Sequence, residues 1–215
     1  MAVTVGDPFT LPQARDWLSG FHDRVLAQET RLTDLDAAIG DADHGTNMAR
    51  GLRAVIAQLQ AAPPSSLEAL LRTAGMALVA SVGGASGPLY GTFFLRCATG
   101  LGPGSEADAA SLAAALRRGC DGIAERGRAA VGDKTMLDAL APGLAAFEAA
   151  LAAGEALAPA AARASAAADA GRDGTAPLLA RRGRAAYLGE RSIGHIDPGS
   201  ASMALLLEAL AAALR

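Results

Sequence analysis

The chain has 215 residues, of which 51% are hydrophobic but only 4% aromatic, and it carries a formal net charge of −3. That length suits a single domain, residues 1–215, and the shortage of the aromatic and β-branched residues that strands prefer predicts an all-α fold with a core of Ala, Leu and Val. The weakly acidic balance, with basic residues scattered, excludes a nucleic-acid binder, and no apolar run reaches the ~20 residues that a membrane span requires. Residues 1–17 show no basic region followed by an apolar run, and Cys97 and Cys120 read as reduced, buried thiols. A cytoplasmic protein with no membrane partner is expected.

Trp17, Leu18, Phe21, Val25 and Leu26 recur at helical spacing and predict a helix from Leu11 to about Gln28. A second, short helix through RLTDLDAAI stops at Gly40. After a charged loop, GTNMARGLRAVIAQLQ resumes a helix that Pro63 and Pro64 end. Serines suited to N-capping open the next helix, SSLEALLRTAGMALVASV, and the glycines of GGASG break it before a restart at Pro88. EADAASLAAALRRGCDGIAERG and DKTMLDALAPGLAAFEAALAAG read as two more helices. The alanine-rich stretch that follows reads as two helices with a break near GRDG, and the apolar SASMALLLEALAAALR as a central last one. About eight helices with short connections, and no strand, describe an antiparallel bundle. Every second connection then lies at one end, which brings the loops GDADHG, GGASG, RGRAAVGDKT and GHIDPGS to one rim.

Asp36, Asp41 and Asp43 form the sharpest chemical signal. Carboxylates at this spacing repel one another unless a cation sits among them, and Mg2+, which takes few carboxylates and completes its shell with water and phosphate oxygens, fits best. An EF-hand counted from Asp41 fails, because Thr46 falls where its glycine belongs and Leu52 where its bidentate glutamate belongs. His44, Gly45, Thr46 and Asn47 open the next helix, whose unpaired N–H groups suit phosphate oxygens.

Gly83, Gly84, Gly87 and Ser86 offer a second phosphate-binding stretch, although no Gly-Lys-Ser/Thr makes it a Walker A loop. Lys134, at a helix start beside Asp133, reads either as a phosphate contact or as half of an exposed ion pair. Arg184, Arg191, His195 and Asp197 gather around a glycine-rich connection, where arginine suits phosphate recognition. HExxH, a zinc quartet and GxSxG are all absent, so a zinc or serine hydrolase has no support.

Taken together, LDAAIGDADHGTNMARG, GGASGPLYGTFF, GDKTMLDAL and GRAAYLGERSIGHIDPGS resemble, in this order and over nearly the whole chain, the L subunit of dihydroxyacetone kinase. The resemblance implies a closed barrel of about eight antiparallel helices that binds ADP or ATP at one rim through two Mg2+ ions. Asp36, Asp41 and Asp43 would be the metal ligands, His44, Gly45, Thr46 and Asn47 would contact the nucleotide, and Ala85 and Ser86 the phosphates. Gly127, Met136 and Arg184 match further nucleotide positions, with Met136 against the adenine, and Asp197, Pro198 and Gly199 match the loop over the base. The chain departs from the family pattern at Ala42, where glycine is commonest, and at Ser200, where alanine is frequent.

The resemblance further implies a separate K subunit that holds dihydroxyacetone, and a phosphotransferase-system M subunit that rephosphorylates bound ADP. The alternatives it leaves are an ATP-dependent kinase subunit for another short ketose or tetrose, a partner of the fatty-acid-kinase type, and a nucleotide-loaded regulator of a transcription factor.

Overall fold

The structure is a computed structural model that describes residues 7–215. Residues 1–6, part of the stretch in which no leader is read, lie outside the described residues. Nine α-helices make up most of the described chain: α1 (Leu11–Ala27), α2 (Glu29–Ile39), α3 (His44–Ala61), α4 (Leu67–Ser81), α5 (Ser86–Leu101), α6 (Ala109–Gly127), α7 (Leu137–Ala152), α8 (Leu157–Gly174) and α9 (Pro198–Ala213).

A single residue, Gln28, separates α1 from α2, and both pack on α3 and α9. The two are successive halves of one wall, and the remaining helices follow it in sequence order until α9 returns to α1. The expected ring of about eight antiparallel helical runs is therefore present, with its first run interrupted at Gln28.

Sequence chemistry explains several boundaries. Thr10 caps α1 through a reciprocal box with Gln13, while Ser66, Asp108 and Asp197 cap α4, α6 and α9 through their side chains. Twelve residues of α9 are buried, so it has no polar face, as a central helix requires. Trp17 donates its indole N–H to the Leu206 carbonyl at 2.9 Å and packs on Phe94, and Phe21 stacks on Tyr90. The few aromatics thus concentrate inside the ring, where large side chains fill the most space.

The structure corrects four expectations. Two-residue strands do exist: β1 (Phe9–Thr10) pairs antiparallel with β2 (Glu106–Ala107), so α6 starts only at Ala109. With Leu11 N–H donating to Ser105 O and Leu67 N–H to Gly104 O, this pairing ties together the end away from the site. The alanine-rich stretch is one helix, α8, that runs through Gly174. Beyond it an irregular strap leads to a 3-10 segment (Arg184–Ser192), because Pro177 and Gly183 do not sustain an α-helix. α5 begins at Ser86, which places Pro88 inside its first turn. α7 begins at Leu137, after a turn built by Thr135 and Asp138.

Small residues let neighbouring helices approach closely, as at Gly171, where an added Cβ would lie 2.1 Å from the Asp138 carbonyl oxygen. Strain collects at the rim: the non-glycine residues with positive φ among those described, Ala42 (62°), Arg128 (47°) and Lys134 (62°), all sit in rim connections. Two substitutions are expected to move stability in opposite directions. Gly171→Ala should cost about 1–3 kcal/mol by forcing α7 and α8 apart. Ala42→Gly should add about 0.5–1 kcal/mol by relieving the left-handed conformation. At about 2–4 °C per kcal/mol for a chain of this size, thermal denaturation resolves both.

Candidate metal and phosphate site

α2 ends, α3 begins, and the carboxylates of Asp36, Asp41 and Asp43 meet at that junction. Each offers an oxygen within 4.8 Å of the others. Asp36, buried in the last turn of α2, accepts the backbone N–H groups of Asp43 (2.9 Å) and His44 (3.1 Å) through Oδ2. It thereby caps α3 from outside and leaves the Asp43 carboxylate uncommitted. Asp36 Oδ1 lies over Gly40, where a Cβ would stand 2.1 Å from it. The Gly40 turn therefore serves the carboxylate as much as the chain reversal. Arg184 pairs with Asp41 at 3.0 Å from the far side of the mouth.

Beside the triad, Gly83, Gly84, Ala85 and Ser86 lead into α5, whose N-terminus carries no side-chain cap. The N–H groups of Ser86 and Gly87 in its first turn are free to meet an anion, Pro88 having none to offer. His44 connects this loop to the interior, with Nδ1 3.2 Å from Ser86 Oγ and Nε2 2.8 Å from Ser202 Oγ. Ser202 Oγ also lies 2.7 Å from the Tyr90 hydroxyl and 3.1 Å from the Gly199 carbonyl oxygen. If Ser202 donates to that carbonyl, its lone pairs take the Tyr90 O–H and His44 Nε2–H, and His44 Nδ1 takes the Ser86 proton. Every polar atom of the chain is then satisfied. Burial pulls the His44 pKa down to about 4 against the opposing pull of Asp36 and Asp43, so the imidazole is neutral at pH 7.

The opposite wall is apolar: Leu89, Ile123, Ala129 and Met136 line it, with Gly127 between them in sequence. Pro198 and Gly199 close it, and Gly199 abuts Met136. Asp197 caps α9 by accepting the Ser200 N–H at 2.6 Å. Burial raises its pKa to about 7, although the Ser200 N–H and Lys134 pull the other way. The whole cavity measures ≈ 310 Å³, at the lower end for small-molecule sites.

Of the residues singled out from the sequence, Asp36, Asp41, Asp43, His44, Asn47, Ala85, Ser86, Gly127, Met136, Arg184, Asp197, Pro198 and Gly199 line this one cavity. Gly45 and Thr46 do not: Gly45 is pressed against α2, with room for a Cβ taken by the Glu29 carbonyl oxygen. Arg191 and His195 also lie outside it. Lys134 lines the cavity yet is 1% exposed and bonded to backbone carbonyls, which corrects both readings of it. Sequence reasoning missed the apolar Leu89, Ile123 and Ala129, whose types carry no signal, and Arg182, which pairs with Asp133 at 3.4 Å. It also missed Asp138, which accepts the N–H groups of Gly132 (2.5 Å) and Thr135 (2.7 Å). The spacing Thr135-x-x-Asp138 was the available clue, since it is that of a capping box.

Residues 38–212 match the model of the DAK2 domain. The chain is 42% identical over 194 residues to the ADP-binding subunit DhaL of a PEP-dependent dihydroxyacetone kinase of Listeria innocua, covering 90% of this chain and 92% of that one. It is 40% identical over 203 residues to the corresponding subunit of Escherichia coli, covering 94% and 97%. The dihydroxyacetone kinase from C. freundii in complex with AMP-PNP and Mg2+ superposes with a TM-score of 0.69 at 27% identity. That alignment takes in 99% of this chain but only 36% of the C. freundii chain, so the protein spans about a third of that kinase. Matched by the domain model over most of its length and aligned nearly end to end with subunits of similar size, the chain belongs to the DAK2-domain family and, within it, to the DhaL subunits of dihydroxyacetone kinases.

Proposed function

We propose that the protein is the nucleotide-carrying subunit of a dihydroxyacetone kinase, holding ADP or ATP with Mg2+ at the rim and handing a phosphoryl group to dihydroxyacetone held by a separate K subunit. The observation that carries this reading is the meeting, in one cavity, of a carboxylate triad, an uncapped helix start and an apolar wall. These three features match the metal, the phosphates and the base of a nucleotide.

The donor set fits Mg2+. It consists of hard carboxylate oxygens, with no thiol among them and with Asp43 uncommitted. Asp36, Asp41 and Asp43 would hold two ions, which supply neutralisation of phosphate charge. The chain's own groups contribute alignment. The α5 amides and Ser86 receive phosphate oxygens, Arg184 brings a positive charge to the mouth, and Leu89, Ile123 and Met136 exclude water around the base. Such positioning and charge compensation is most of what phosphoryl transfer asks of a protein. No general base from this chain is needed when the partner presents the acceptor hydroxyl.

The names of the Listeria and E. coli relatives describe PEP-dependent kinases with an ADP-binding subunit. They support a bound ADP that a phosphotransferase-system M subunit recharges. The exposed rim residues Val131, Leu179, Tyr187 (90% exposed) and Ile193 all flank the mouth in sequence and offer the K subunit an apolar landing. A transcription regulator that reads nucleotide occupancy would meet the same rim.

Native mass spectrometry of the purified protein in Mg2+ is expected to show ADP and two Mg2+ ions retained. A site that neither retains nor accepts nucleotide would overturn the proposal. Asp41→Asn should leave the circular dichroism of the barrel intact and weaken Mg-ADP binding by about 10-fold or more in calorimetry, the scale of one lost charged contact. Tyr187→Ala should leave nucleotide affinity unchanged while reducing kinase activity reconstituted with a K subunit; equal activity would remove Tyr187 from the docking surface.

A further inference from the structure

Lys134 is the only lysine of the chain: eighteen of its nineteen Lys and Arg residues are arginine. The single exception is also the most deeply buried cation, 1% exposed and held at a positive φ of 62°. Its Nζ donates to the carbonyl oxygens of Thr175 (2.7 Å), Leu178 (3.2 Å), Ala176 (3.3 Å) and His195. Carbonyl dipoles thus replace the water shell of the ammonium. A planar guanidinium with its donors in a fork cannot converge on such a ring, whereas a compact tetrahedral charge can. Arginine everywhere else and lysine here is what that geometry demands.

The four carbonyls lie at the two ends of the strap between α8 and α9. Thr175, Ala176 and Leu178 open it, and His195 closes it two residues before Asp197. Lys134 therefore fastens both ends of the strap to the loop that carries Met136. The tie continues through Thr175, whose hydroxyl oxygen accepts the Asp197 N–H at 3.0 Å. Asp197 in turn fixes the first turn of α9, and Gly199 of that turn rests on Met136. Because all protons of the ammonium point at backbone carbonyls, none remains for a phosphate.

We propose that Lys134 is a positioning residue: it sets the wall made by Met136 and Asp197–Gly199 against which the base of the nucleotide packs, while the metal and phosphate half of the site stands without it. This rests on the nucleotide reading of the cavity. The apolar wall takes the base because the carboxylate triad and the α5 start occupy the other side.

The test compares Mg-ADP with Mg-pyrophosphate, which has no base, on the wild type and on Lys134→Met by calorimetry. ADP affinity is expected to fall about 10- to 100-fold, the loss of a charged hydrogen-bond set, with pyrophosphate affinity unchanged. Failure of the wild type to bind Mg-ADP would overturn the nucleotide reading itself. Wild-type binding with unchanged ADP affinity in the variant, or equal losses for both ligands, would overturn the role of Lys134 alone. Should Lys134→Met not fold, acylation of Lys134 in the wild type, followed by peptide mass spectrometry, decides. Saturating Mg-ADP should slow it about tenfold or more and Mg-pyrophosphate should not; indifference to Mg-ADP refutes the proposal.

Discussion

The site depends on one carboxylate that serves two helices. Asp36 belongs to α2, yet its Oδ2 receives the N–H groups that open α3. An ordinary cap would have come from Asp43 itself. Because Asp36 takes over that task, Asp43 can face the cavity, and the junction presents three acidic oxygens at a distance that only a cation or an arginine can tolerate. Arg184 meets that requirement at Asp41. The remaining rim loops are arranged around this concentration of negative charge.

The two ends of the barrel are built by different rules. The end away from the site is joined by a short strand pair and by backbone bonds from Leu11 and Leu67. The rim end is held by side chains reaching across connections: Asp36, Asp138, Lys134, Thr175 and the His44 chain. Among the described residues, positive φ at non-glycine positions occurs only at this end, at Ala42, Arg128 and Lys134. A rigid body with its strained residues at one open end is the arrangement expected where binding must be prepared in advance.

How much of this the sequence reveals follows from what leaves a local trace. The triad was legible because Asp36, Asp41 and Asp43 lie within eight residues, where their mutual repulsion calls for a cation. The common rim was legible because alternate connections of an up-and-down bundle must coincide. Other features required three dimensions. Nothing in GDKTM tells a buried ammonium from an exposed one, since its partners at residues 175–178 and 195 are distant in sequence. GRDG does end α8, at Gly174, as the low helix propensity of glycine predicts, but nothing local tells that the residues beyond it form an irregular strap in place of a second α-helix. The β1–β2 pair left no signal, because two residues cannot display a period.

Closure of the ring between α1 and α9 has a consequence for how the molecule is made. The indole of Trp17 waits for a carbonyl 189 residues later, at Leu206. Every other wall of the ring joins helices adjacent in the chain and can assemble as the polypeptide emerges, whereas this seam can form only when α9 is present. Until then the inner face of α1 lacks the cover of α9, and the Trp17 indole lacks its acceptor at Leu206. Docking of the last helix therefore closes the ring, and Asp197 caps the start of that same helix, so the nucleotide pocket is completed in the event that seals the barrel.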